Sequence, residues 1–199
     1  MLTLFIYRAP CTLWRTVWRI VAAFHLFGRF DDVSRLTPSD LSFPDTPRPH
    51  MTVRLIGGKT DNLNRGFVRY VSCNSQNPRY CPVQLTLDYL AFLGPGYSGY
   101  LVASSQTAPN RKLCLDGRHR LSYANALRDF RFLLQALGYD PKEYAEHSPK
   151  RGAATAASEA GVDEAAMSHF AGWSTRTMPA LYTDWPPARY LAVSDQLQS

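Results

Sequence analysis

Five short stretches carry side chains whose types and spacing could do chemistry. Three lie near the C-terminal end: His147-Ser148-Pro149-Lys150-Arg151-Gly152-Ala153-Ala154-Thr155, then Ala171-Gly172-Trp173-Ser174, then Leu181-Tyr182-Thr183. Two lie upstream, Gly28-Arg29-Phe30-Asp31-Asp32-Val33-Ser34-Arg35-Leu36 and Gly58-Lys59-Thr60-Asp61. A tyrosine hydroxyl can act as a nucleophile, and histidine and lysine can move protons. A guanidinium donates two parallel hydrogen bonds to an oxyanion. Such a set meets the needs of ester transfer at phosphorus: attack, stabilisation of charge on the non-bridging oxygens, and a proton for the leaving oxygen. Each residue alone has a plainer reading. Arg29 would be a helix-end arginine, Lys59 a solvated turn residue, His147 a residue of a helix-capping region, Trp173 core, and Tyr182 one of 11 tyrosines.

Order and spacing outweigh those plain readings. A His-x-x-cation box, a Gly-Trp box and a terminal tyrosine resemble the pattern of the tyrosine recombinases (phage-integrase type). Arg29, followed three residues later by Asp32 and then by a leucine, resembles the family's first arginine box, and Lys59 resembles its hairpin lysine. His-Ser, the following Gly-Ala-Ala-Thr, the tryptophan of the second box and Cys81-Pro82-Val83 resemble the eukaryotic branch found in DIRS-type mobile elements. The resemblance runs from about residue 18 to residue 183.

The resemblance implies a mainly helical α+β catalytic domain over residues 1–199, N-terminally truncated and without the family's separate core-binding domain. It implies DNA cleavage and rejoining through a 3′-phosphotyrosine on Tyr182, used in recombination or integration without metal or cofactor. Arg29 and the cation of the His-x-x box would clamp the phosphate, Lys59 would protonate the leaving oxygen, His147 would bond the phosphate or assist proton transfer, and Trp173 would position the site. The implied partners are double-stranded DNA and further copies of the chain on that DNA, with no membrane and no small-molecule substrate. The implied compartment is intracellular, nuclear in a eukaryote.

One departure bears on the chemistry. Lys150 stands where the family has arginine, and Arg151 follows it. A lysine is a point charge without the planar fork, so either residue of this pair is a candidate for the second clamp. Three other readings stand beside the recombinase: a DNA-binding relic that has lost cleavage, a type IB topoisomerase-like enzyme, and a hydrolase unrelated to nucleic acid that uses His147 and Lys59.

The elements that must hold these residues are legible in outline. Leu13, Val17, Ile20, Val21 and Phe24 recur at helical spacing, which predicts a helix over 12–27 with that stripe facing the core. Arg8, Arg15 and Arg19 argue against reading it as a membrane span. A short helix follows over 29–36. Leu41-Ser42-Phe43, Thr52 to Ile56 and Phe67 to Val71 predict a three-stranded antiparallel sheet near residues 41–72, its hairpin turn carrying Lys59. Further helices are expected over 82–93, from Ser122 to about 137, over 149–160, 163–171 and 175–183, and from Pro187 towards Val193. The last is expected to dock on a neighbouring subunit, as the resemblance implies. Tyr100 to Ala103 reads as a short strand and 110–120 as a basic loop.

Composition sets the outer bounds. With 199 residues, 45% of them hydrophobic and 19% charged, the chain can bury a core of its own. The net charge of +6 and a pI near 9.3 suit a polyanionic partner without identifying one. Cys11, Cys73, Cys81 and Cys114 have neither zinc-site spacing nor the density of a disulfide scaffold.

Overall fold

In the computed structural model, residues 10–56, 66–107, 113–172 and 187–198 are described. Helix α1 (Cys11–His25) runs through the centre, packed against α3 (Pro82–Leu93), α4 (Tyr123–Ala136) and α5 (Ser148–Glu159). Its buried face is not the expected stripe. Leu13, Val17, Ile20, Val21 and Phe24 are only half-buried, whereas Trp14, Trp18, Ala22 and Ala23 are buried together with Arg15 and Arg19. The arginines misled the periodicity because each has a partner brought in from far along the chain. Arg15 donates to the Ala103 carbonyl at 2.7 Å and to Asp129 at 2.6 Å, while Arg19 pairs with the buried Glu146 and donates to the Ala126 carbonyl at 3.1 Å. Paired and hydrogen-bonded charges of this kind can be buried where isolated ones cannot.

Two sheets flank the helices. The first has the order β1 (Leu41–Ser42), β2 (His50–Leu55), β3 (Phe67–Ser72), all antiparallel, with Val53 opposite Arg69 and Met51 opposite Val71. The second is a hairpin of β4 (Ala103–Thr107) and β5 (Leu113–Arg120). It corrects the reading of 110–120 as a loop. Only Leu115 of the described β5 residues packs on the core, and Arg118, His119 and Arg120 are exposed, so the strand is held mainly by its backbone ladder and shows little apolar alternation.

The remaining elements follow the sequence more closely. Ser122 caps α4, its hydroxyl accepting from the Asn125 N–H at 3.3 Å. Asp163 likewise caps α6 (Glu164–Ala171), which ends at Gly172 in the left-handed conformation, φ 65°. Helix α7 (Pro187–Gln196) lies against β3 of its own chain. There the Ser194 hydroxyl accepts from the Ser72 N–H at 2.8 Å and the Tyr190 and Tyr70 rings meet at 5.3 Å. The face of α7 that carries Leu191, Val193 and Ser194 is thus buried in cis. The expected helix over 175–183 lies outside the described residues, and no described helix is long and apolar enough to cross a membrane.

Candidate phosphate-binding site

The turn from α1 into α2 (Phe30–Ser34) sets the first cation in place. Gly28 closes it, its N–H donating to the Ala23 carbonyl at 2.9 Å, and a β-carbon at Gly28 would come within 2.9 Å of Val33 Cγ2. Arg29 is the residue before α2, and its backbone N–H donates to Asp32 Oδ2 at 2.8 Å. Asp32 thereby fixes the backbone that carries the Arg29 side chain.

The second cation comes from the start of α5. His147 precedes the helix, Pro149 sits in its first turn, and Lys150 follows one residue later. Glu146, immediately upstream, is held by Arg19, so the centre of α1 anchors the start of α5. Lys150 turns into a recess of about 30 Å³ that Arg29 and Asp32 also line, while Arg151 is exposed. Of the two cations of the His-x-x box, Lys150 is thus the one beside Arg29. His147 is exposed and lies outside the recess lining, whereas Lys59, Trp173 and Tyr182 lie outside the described residues.

The recess is strongly cationic. Among the described residues, Arg29, Lys150 and Arg69 line it against one carboxylate, Asp32, with Leu26, Phe27, Leu55, Phe67, Ala171 and Gly172 as apolar and backbone walls. Burial, and then the neighbouring Arg29, lower the Lys150 ammonium to about 8, against the opposing pull of Asp32. Burial also lowers the Arg69 guanidinium, to about 10. Low dielectric around clustered like charges raises the electrostatic gain on binding an anion.

Arg69 was missed by the sequence reading. The signal was present: in a strand over 67–71, a period of two puts Arg69 on the face of Phe67 and Val71, and Val71 is fully buried. A charge at such a position needs a partner or a task.

Comparison with solved structures identifies the fold. No family model matches the chain, and no curated protein matches it in sequence. Among solved structures it is similar to "FLP Recombinase-Holliday Junction Complex I", with a TM-score of 0.57 at 16% identity over 94% of this chain and 47% of that one. It is similar also to "Flpe-Holliday Junction Complex", with a TM-score of 0.57 at 17% identity over 92% of this chain and 46% of that one. The chain spans about half the length of these recombinase chains, and over that span it has the fold of the FLP recombinase.

Proposed function

We propose that this chain cuts and rejoins duplex DNA by transesterification, with Tyr182 as the nucleophile that forms a 3′-phosphotyrosine. The observation that carries the reading is the meeting of Arg29 and Lys150, drawn from separate motifs, in one cationic recess of a recombinase-like fold. Arg29 and Lys150 hold the non-bridging oxygens of the scissile phosphate, Lys59 protonates the departing 5′ oxygen, and His147 assists at the phosphate. Trp173 positions the site, and Arg151 supports DNA from the exposed face of α5. Energy of the broken ester is kept in the phosphotyrosine, so strand joining needs no further energy source. The motif flavour supports a mobile-element recombinase of the eukaryotic branch, acting in the nucleus as several copies on DNA.

The test is a nicked suicide duplex, which traps the covalent intermediate by letting the cleaved end diffuse away. An adduct that depends on Tyr182 supports cleavage. Lysine in place of the family's arginine favours one other reading, a DNA-binding protein that does not cut; binding without an adduct would select it.

A further inference from the structure

Arg69 is 4% exposed, yet no carboxylate pairs with it among the described residues. Among the described residues its Nη1 donates only to the adjacent Val68 carbonyl at 3.3 Å, and its buried Nε has no hydrogen-bond partner. The guanidinium carbon stands 5.5 Å from the centre of the Phe67 ring and 5.8 Å from that of Phe170. Nη2 lies so close to Gly172 that a β-carbon there would approach it to 2.8 Å. Two aromatic rings and a glycine therefore orient a guanidinium whose donors are only partly used, on the wall of a recess shared with Arg29 and Lys150. A buried, unpaired guanidinium is costly, and an anion in the recess would offset that cost.

Lysine at 150 leaves the site one guanidinium short of the family pattern, and Arg69 brings one to the same recess from β3. We propose that Arg69 is a phosphate-contacting residue, bringing to the recess the second planar guanidinium that Lys150 does not supply. The ligand class is a phosphate group with at least one free oxygen, and the DNA phosphodiester is its source under the function proposed above, on which this assignment rests.

The test follows the side-chain Nε–H resonance of Arg69 in the wild-type chain, identified by its loss in Arg69→Lys, during titration with inorganic phosphate. A saturable shift of that resonance is expected. Arg69→Met, which keeps a stem over the two phenyl rings, is expected to weaken phosphate binding by roughly tenfold or more, and Arg69→Lys by less. An Arg69 resonance that stays still through the titration, or a folded Arg69→Met chain that binds phosphate within about twofold of wild type, overturns the assignment. Should Arg69→Met fail to fold, the wild-type titration decides alone. The suicide-duplex experiment separates the two ideas: adduct formation with an unresponsive Arg69 removes this inference and leaves the function, whereas a responsive Arg69 without any adduct keeps the anion site and removes cleavage.

Discussion

At the residue scale, Lys150 is where charge and position trade against each other. Its ordinary value of 10.5 falls to about 8, chiefly through burial and then through Arg29, with Arg69 adding to the effect and Asp32 opposing it. Because the folded value lies below the unfolded one, the unfolded chain holds more protons between those two values, so this residue's contribution to stability rises with pH across that window. Anion binding has the opposite sign, since it needs the proton. Affinity for a phosphodiester, whose charge is fixed over this range, should therefore fall by up to about tenfold between about pH 7 and pH 9, and Lys150→Arg should reduce that decline because an arginine holds its proton more tightly than a lysine. A wild-type affinity constant over the range would contradict it. The proposed nucleophile has its own test. Tyr182→Phe removes one oxygen and should abolish the covalent adduct while leaving DNA binding in place. Tyr190→Phe should keep the adduct, but its hydroxyl shares a 2.9 Å hydrogen bond with His169 Nε2, so unfolding experiments should show a loss of about 1 kcal/mol. An adduct surviving Tyr182→Phe would displace Tyr182 from its role.

At the element scale, the site depends on how α1 grips the start of α5. Glu146→Ala would leave Arg19 charged and buried, which costs about 3–5 kcal/mol and, for a chain of this size, roughly 10 °C in Tm. The double replacement Arg19→Met with Glu146→Leu should recover most of that loss, because two apolar groups fill the place of the pair; no recovery would mean that the ion pair itself is indispensable. The same pair shows why the sequence was legible only in part. Helix positions, the first hairpin and the order of the motif boxes could be read, since caps, glycines and β-branched runs act locally. Which face of α1 is buried could not, because the partners of Arg15 and Arg19 lie 114 and 127 positions away. β5 gives no strand signal for a related reason: its ladder to β4 satisfies the backbone, while its side chains are mostly polar and those of Arg118, His119 and Arg120 are exposed. Arg69 escaped notice because no motif contains it, although strand alternation placed it on the inner face.

At the scale of the whole molecule, charge and fold bear on how the proposed DNA substrate would be held. The net charge of +6 is modest, and among the described residues of the recess two guanidinium groups and an ammonium face one carboxylate. Groups of this kind meet phosphate oxygens, which are the same at every step of the duplex, whereas reading sequence requires side chains directed at base edges. Binding by this chain should accordingly be tolerant of sequence and sensitive to salt. If about three phosphates are neutralised, log affinity should fall with log salt with a slope near −2.7, or about 40-fold between 50 and 200 mM. Removing one recess cation, as in Arg29→Ala, should lower the slope by about one and weaken unrelated duplexes equally. Filter binding or fluorescence anisotropy over that salt range, with two duplexes of unrelated sequence, gives both quantities. An affinity indifferent to salt would remove the polyanion reading altogether, whereas a steep slope with strong preference for one duplex would mean that base-reading groups outside the recess dominate.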